Sequence, residues 1–215
     1  MAVVDDVLRG GIRSGVVDIY GPPASGKTQL ALQITRNCIS SGGRVLFVDT
    51  TGKFRPERLQ SMLDAANMKS SLLDMVIVSR AVNVAEQLNV LDIVDLSEYS
   101  LVVIDDISEL FAFEYFRDPY IRKRDVLFAR YMMRLSQTSL ENDLPILITD
   151  PVRDSRFQKG TMPQIIDIFT HIKIHLLSDD GICASRRGSI EIPWMRSDFY
   201  YEITESGLDG TTAAP

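Results

Sequence analysis

Eight consecutive residues, 21–28, carry the clearest chemical signature in the chain. They read GPPASGKT and fit the pattern G-x-x-x-x-G-K-[ST] in full, after a mostly apolar run and before a helical pattern. In such a loop the backbone N–H groups and the start of the next helix form an anion site, where Lys27 would reach the β- and γ-phosphates and the Thr28 hydroxyl would hold Mg²⁺. The motif and its context agree, which favours a nucleoside triphosphate site over a strand-to-helix turn that binds nothing. The expected nucleotide contacts are Gly21, Pro22, Pro23, Ala24, Ser25, Gly26, Lys27, Thr28 and Gln29.

Two acids follow a later apolar run and form a second signal. Asp105 ends the run LVVI, and a carboxylate at the carboxyl end of a parallel strand organises Mg²⁺ across the crevice from Lys27 and Thr28. Asp106 comes directly after it, and a second acid at this point can act as the base that positions the attacking water. The alternative for Asp106 is an acid at a helix N-terminus, where it complements the helix dipole. The sequence leaves both roles of Asp106 open.

The composition limits the class of protein. The chain has 215 residues, 45% of them hydrophobic, and a formal net charge of −6. This suffices for one α/β domain with a core, and the negative charge argues against a general nucleic-acid binder, so any DNA contact must be local. There is no apolar run of membrane-span length, no signal-peptide pattern and no cysteine motif. We therefore predict a cytoplasmic protein that does not contact membranes.

Short apolar runs alternate with helical patterns, which is typical of βαβ units with a mostly parallel sheet. Leu127, Tyr131 and Leu135 share a stripe that predicts a helix over 125–136. From Ile165 onward the pattern predicts β-structure, including a strand over 168–177. We expect a single core over 1–206 and a disordered tail over 207–215, because the last residues are small and polar.

Five stretches, in order, resemble the RecA/RadA recombinase core: GGIRSGVVDIYGPPASGKTQLALQI, VLFVDTTGKFRPERL, LVVIDDISELF, ILITDPV and YEITESGL. FRPERL is the most specific, since other phosphate-loop proteins have no reason to carry it. In size the chain is most similar to the archaeal RadB-type recombinase paralogues. The resemblance implies a central twisted sheet with helices on both faces, a C-terminal β-rich extension, bound ATP, and a role in homologous recombination and DNA repair. It also implies that Arg58 lies against the adenine ring.

Three departures from that family's pattern concern catalysis. Thr51 stands where the family has a glutamate that orients the attacking water, and a hydroxyl cannot replace a carboxylate as proton acceptor. Pro151 stands where the family has a glutamine that senses the γ-phosphate, and proline has no side-chain amide. Asp106 stands where the family has serine. These substitutions predict a protein that binds ATP and hydrolyses it weakly or not at all, as a mediator or regulator of a full-length recombinase would.

Two basic segments match the positions of the family's DNA loops. The first contains Arg117, Arg122, Lys123 and Arg124, and the second contains Arg153, Arg156, Phe157 and Lys159. Lys and Arg there would contact phosphates of single-stranded DNA, and Phe157 would stack on a base. The alternative is a pair of ordinary solvated loops.

The sequence also leads to expectations about self-assembly and protein partners. Because the chain starts at the core, we expect no strand for adding to a neighbour's sheet, and hence no self-assembled filament, although an acceptor surface for a full-length recombinase or another recombination protein remains. Pro193 and Trp194 match the position of the family's cap over a neighbouring ATP, while a lone tryptophan is more often a packing residue. The rival interpretation is a KaiC-like ATP-binding regulatory subunit, which shares the fold and has no role on DNA.

Overall fold

The computed structural model describes residues 14–151, 161–177 and 185–211, and nine strands lie within these ranges. The strands are β1 (Val16–Gly21), β2 (Val45–Asp49), β3 (Val76–Arg80), β4 (Leu101–Asp105), β5 (Ile146–Pro151), β6 (Ile172–Leu176), β7 (Arg186–Ile192), β8 (Met195–Thr204) and β9 (Gly207–Thr211). They form one sheet in the order β3-β2-β4-β5-β1-β6-β7-β8-β9. The six strands from β3 to β6 run parallel, and β7, β8 and β9 follow as antiparallel neighbours. The predicted fold class is confirmed.

Helices cover both faces of the parallel part of the sheet. They are α1 (Lys27–Ser40), α2 (Pro56–Ala65), α3 (Val84–Ile93), α4 (Glu109–Glu114), α5 (Asp118–Glu141) and α6 (Met162–Phe169), with short 3₁₀ turns at Ser70–Met75 and Leu96–Glu98. Local chemistry sets several starts. Pro56 occupies the first turn of α2, and the Asn83 side chain accepts a 2.8 Å bond from the Glu86 N–H at the start of α3.

Two hydrophobic cores lie on opposite faces of the sheet. Alternate residues of β1, such as Val16 and Val17, enter different cores, because successive strand side chains point to opposite faces. One core packs α3, α4, α5 and α6 against the sheet, and the other packs α1, α2 and the C-terminal strands. β2, β4 and β5 are buried along almost their whole length, as expected of parallel strands covered on both sides. This arrangement sets the carboxyl ends of the parallel strands along one edge.

The C-terminal strands correct one expectation. The disordered tail was expected to begin at residue 207, but Gly207–Thr211 forms β9, paired with β8 through Ile203 and Leu208. Leu208 is fully buried, and the Gln33 side chain of α1 accepts a bond from its N–H (2.9 Å) and donates to its C=O (3.2 Å). Tertiary contact with α1 therefore orders a segment whose small polar composition predicts disorder.

Two helix predictions also need correction. The helix expected over 125–136 runs over Asp118–Glu141, because Pro119 fits its first turn and the basic residues that follow are helical. The β-pattern expected from Ile165 is the helix α6 up to Phe169, so the strand expected over 168–177 begins at Ile172 instead. The buried residues Ile165 and Ile166 of α6 join the core that α5 lines, and this packing overrides the strand preference of isoleucine. In the described ranges, none of the helices is both long and apolar enough to cross a membrane.

Candidate nucleotide-binding site

The loop between β1 and α1 has the backbone shape of an anion cradle. Gly26 (φ +101°) and Ala24 (φ +62°) both adopt left-handed conformations, and the Ser25 N–H donates to the Pro22 carbonyl at 3.2 Å. The α1 ladder begins at once, since the Leu30 N–H donates to the Gly26 carbonyl at 2.8 Å. The loop therefore turns sharply into α1, and the free N–H groups at the start of this helix form an anion site at the positive end of its dipole.

Glycine is required at the start of this loop. A Cβ on Gly21 would lie 2.2 Å from the Leu176 carbonyl oxygen, because β6 approaches β1 closely there. Only glycine therefore allows the loop to leave β1 beside β6. The reason for the first glycine of the motif is thus this close approach of two strands.

Lys27 is folded onto the start of the loop. Its Nζ donates to the Gly21 carbonyl at 2.7 Å and to the Pro22 carbonyl at 3.0 Å. Burial lowers the pKa of Lys27, and the negative charges of Asp106, Asp105 and Asp150 oppose that shift. The ammonium thus lies beside the cradle and faces carboxylates from β4 and β5.

Two threonines hold the Asp105 carboxylate at the carboxyl edge of the sheet. The Thr28 hydroxyl donates to Asp105 Oδ2 at 2.9 Å, and the Thr149 hydroxyl of β5 donates to Oδ1. Burial raises the pKa of Asp105, while the bonds from Thr149 and Thr28 lower it. The Ser25 hydroxyl oxygen is buried and has no hydrogen-bond partner among the described residues. Hydroxyl and carboxylate oxygens are the ligands that Mg²⁺ prefers, so this set fits Mg²⁺ held together with nucleotide phosphates.

Asp106 lies at the start of α4. Its Oδ1 accepts bonds from the Ser108 N–H (2.8 Å), the Ser108 hydroxyl (3.1 Å) and the Glu109 N–H (3.2 Å). Desolvation and the nearby charge of Asp150 raise the pKa of Asp106 to about 7. Asp106 thus binds the turn before α4 and the first N–H group of that helix, so these contacts agree with the second of the two roles left open by the sequence, an acid near a helix N-terminus.

The residue in place of the family's catalytic glutamate is bound to its own strand end. The Asp49 Oδ1 accepts from both the N–H and the hydroxyl of Thr51, each at 3.2 Å. Asp49 also accepts from the backbone N–H groups of Lys53 and Phe54, at 3.2 Å each, and so shapes the turn after β2. Thr51 therefore serves the turn as a hydrogen-bond donor.

Arg58 of the FRPERL segment reaches the first turn of α1. Its Nε donates to Gln29 Oε1 at 2.7 Å, and its Nη2 donates to the Thr204 carbonyl of β8 at 2.6 Å. The half-buried guanidinium thus bridges α1, α2 and the C-terminal strands beside the phosphate loop. The expectation that it meets an adenine ring stays a prediction.

The fold brings together most of the residues predicted from the sequence. Lys27, Thr28, Asp105 and Asp106 lie at one edge of the sheet, with Arg58 and Gln29 beside them. Sequence reasoning missed Thr149, Asp150, Arg186 and Tyr201. For Thr149 and Asp150 the signal was their position at the end of a predicted parallel strand. For Arg186 and Tyr201 no local motif exists.

The two basic segments differ in what the structure says of them. Arg124 is buried (4% exposed) and paired with Asp125 at 2.9 Å, so its expected DNA contact is wrong. Arg117, Arg122 and Lys123 are exposed at the start of α5. Arg153, Arg156, Phe157 and Lys159 lie outside the described residues. Trp194 is 82% exposed at the turn between β7 and β8, so the interpretation of a packing residue is also wrong.

Comparison with known proteins finds similarity to recombination and DNA repair proteins of archaea and eukaryotes. The Rad51 family model matches residues 1–175. The chain is 30% identical over 178 residues to the DNA repair and recombination protein RadA of Cenarchaeum symbiosum, covering 74% of this chain and 44% of that protein. It is 29% identical to the mouse meiotic recombination protein DMC1/LIM15 homolog (68% of this chain, 47% of that protein). It is 29% identical to the DNA repair protein rhp51 of Schizosaccharomyces pombe (69% and 44%). The chain therefore spans less than half the length of these relatives.

Proposed function

Because this chain belongs to the Rad51 family, we propose that it binds ATP with Mg²⁺ at the phosphate loop and acts in DNA repair and homologous recombination. The observation that carries the proposal is the meeting of Lys27, Thr28 and Asp105 at the carboxyl edge of the sheet. Ligands of open parallel sheets bind at this edge. Its donors are backbone N–H groups, an ammonium and hydroxyls, which suit a triphosphate.

Different residues of the site bind the phosphates, Mg²⁺ and the base. The N–H groups at the end of the loop and the start of α1 cradle the phosphates, and Lys27 exchanges its two carbonyl partners for phosphate oxygens. Thr28 and Asp105 hold Mg²⁺, which neutralises charge between the phosphates and the acids of β4 and β5. Arg58 and Gln29 form the side of the site towards the base.

We propose that hydrolysis is weak. The Thr51 hydroxyl donates to Asp49 and offers no carboxylate to a water molecule. Pro151 ends β5 and has no side-chain amide, and Asp106 uses one carboxylate oxygen to bind the turn that leads into α4. Such a protein works through the ATP-bound state, as a RadB-type mediator or regulator of a full-length recombinase.

The edge of the sheet offers a surface for that partner. Among the described strands, β3 is the outermost on its side of the sheet, and Ile77 and Val78 are 38% and 43% exposed. An unpaired strand edge with apolar side chains accepts an extended segment of another chain. Single-stranded DNA would meet Arg117, Arg122 and Lys123 and the 153–159 segment through phosphate contacts.

One observation favours the rival function. Burial of Arg124 removes a cation from the first basic segment of a chain that already carries a net charge of −6. A KaiC-like regulatory subunit binds ATP in the same fold without DNA. Fluorescence anisotropy with single- and double-stranded DNA at low salt separates the two, because absence of binding to either favours the regulatory subunit.

Two measurements test the proposal. Calorimetry with MgATP is expected to show one site per chain, and heat changes no larger than those of buffer would overturn it. Capture of a full-length recombinase on the immobilised protein is expected to be stronger with MgATP than without nucleotide. An Ile77→Lys variant should capture less recombinase, because a charge on the edge strand opposes pairing with another strand. The control is Glu57→Lys, at an exposed position of α2.

A further inference from the structure

Two side chains from the C-terminal strands bind the outer side of the phosphate loop. The Tyr201 hydroxyl donates to the Ser25 carbonyl at 2.8 Å, with the Leu177 carbonyl as a second, longer acceptor at 3.1 Å, and the Arg186 guanidinium donates to the Ala24 carbonyl. Arg186 and Tyr201 are direct cross-strand partners in the β7–β8 pair. One pair of neighbouring side chains thus binds two consecutive carbonyls of the loop.

We propose that Arg186 and Tyr201 are positioning residues, which hold the phosphate loop in its anion-binding shape and so set the affinity for nucleotide. The inference rests on the proposed binding of ATP at this loop. Neither residue needs to touch the nucleotide, because they act through the peptide groups of residues 24 and 25.

The geometry of the loop explains why such residues are needed. The Ser25 carbonyl belongs to a buried residue, and a buried carbonyl requires a donor, which Tyr201 supplies. Ala24 also has a φ of +62°, a conformation that a residue with a Cβ seldom adopts unless its surroundings impose it. Donors on the Ala24 and Ser25 carbonyls stabilise this conformation relative to others.

The strands that carry the pair are themselves fixed to α1. Gln33 bonds both the N–H and the C=O of Leu208, and Arg36 donates to the Ser206 carbonyl at 2.8 Å. A Cβ on Gly26 would lie 3.2 Å from Ile203 Cδ1, so the β8–β9 hairpin contacts the loop directly. Strand β8, which carries Tyr201 and pairs with the strand of Arg186, is therefore attached to α1, the helix that follows the loop.

Charge and protonation suit the same role. The Arg186 guanidinium adds a positive charge behind a loop that receives an anion. Burial raises the pKa of Tyr201 to about 12, against a smaller lowering by Arg186, so the hydroxyl keeps its proton and remains a donor at physiological pH. Tyr201 is fully buried, so water does not replace the bond.

The test compares conservative variants of the pair with variants of their sequence neighbours. Tyr201→Phe and Arg186→Gln remove the two donors, and Tyr200→Phe and Arg187→Gln are matched controls, since these neighbours point to the opposite face of the sheet. The dissociation constants of MgATP and MgADP are measured by calorimetry, and the unfolding temperature by scanning calorimetry. We expect each donor variant to weaken binding about three- to tenfold, the range of one net hydrogen bond. Each control should bind as the wild type does.

Further outcomes separate the inference from the proposed function. The double variant should lose less than the product of the single losses, because both donors stabilise one loop conformation. Arg186→Lys should recover part of the affinity. A lowered unfolding temperature with an unchanged dissociation constant would overturn the positioning role. Failure of the wild type to bind MgATP would overturn the proposed function, and the inference with it.

Discussion

At the scale of single residues, Lys27 faces three carboxylates, those of Asp105, Asp106 and Asp150. A triphosphate brings further negative charge to this edge of the sheet. Binding at an acidic edge therefore requires compensating charge, which the lysine supplies directly and Mg²⁺ supplies through Thr28 and Asp105. This balance makes the lysine more important here than in a basic site.

Removal of the positive charge of Lys27 should weaken nucleotide binding. Lys27→Ala should weaken MgATP affinity at least about tenfold, since a charge-assisted hydrogen bond contributes about 1.5–3 kcal/mol. Calorimetry measures the affinity, and circular dichroism should show an intact fold. Lys69→Ala, at an exposed lysine outside the site, is the control for charge loss. Equal affinities of the Lys27 variant and the wild type would remove the basis of the proposed site.

The turn after β2 gives a prediction about catalysis. Wild-type hydrolysis should be slow, because loss of a catalytic base typically costs 10²–10⁴-fold. Thr51→Glu should raise turnover in a phosphate-release assay, and Thr51→Gln, which has the same size without a proton acceptor, should not. Robust DNA-stimulated hydrolysis by the wild type that Asp106→Ala abolishes would instead assign the base to Asp106.

At the scale of secondary structure, the C-terminal strands hold the nucleotide elements together. β8 and β9 contact α1 through Gln33 and Arg36, α2 through Arg58, and the phosphate loop through Tyr201. β7 adds Arg186. The extension is therefore part of the nucleotide site, although its residues carry no phosphate-binding motif.

Gln33 is the test of this connection. Gln33→Ala leaves the N–H and C=O of buried Leu208 without their partners, and an unsatisfied buried group costs about 1–3 kcal/mol. The free energy of unfolding in urea should fall by about 2 kcal/mol on that basis. Gln137→Ala, on the exposed face of α5, should change it by less than about 0.5 kcal/mol. Equal stabilities of the two variants would show that β9 does not depend on this contact.

At the scale of the whole molecule, a net charge of −6 argues against a broad basic face for DNA. Any contact must come from a few cations on local segments, and the buried Arg124 is not one of them. Binding should accordingly be electrostatic and independent of base sequence. The charge of the molecule thus limits the number of phosphate contacts.

Salt dependence measures that number. Each neutralised phosphate contributes about −0.7 to the slope of log K against log salt for single strands. Replacing Arg153, Arg156 and Lys159 together with alanine should reduce the slope by about two, as measured by anisotropy over a salt series. Replacing Arg44, Arg55 and Lys69, which lie elsewhere in the chain, removes the same charge and should leave the slope nearly unchanged. Equal slopes for both triple variants would move the DNA contact away from the 153–159 segment.

The sequence by itself determined the phosphate loop, the acid at the end of β4 and the parallel α/β fold. These features are local: a motif of eight residues, an apolar run that ends in Asp105, and the alternation of strands with helices. Each of these features is recognisable from residues that lie close together along the chain. Thr51 and Pro151 were likewise recognisable because each lies two residues after a predicted strand.

Only the tertiary structure decided what holds the site together. Arg186 and Tyr201 meet the loop from more than 160 and 170 residues away in sequence, through bonds to backbone carbonyls that carry no side-chain signature. Helix α6 and strand β9 form where short segments with the wrong local preference gain burial against α5 and α1. Every residue type has a backbone carbonyl that can accept a hydrogen bond, and the burial of a segment does not depend on one particular residue type. The sequence therefore cannot indicate which distant side chain will reach them.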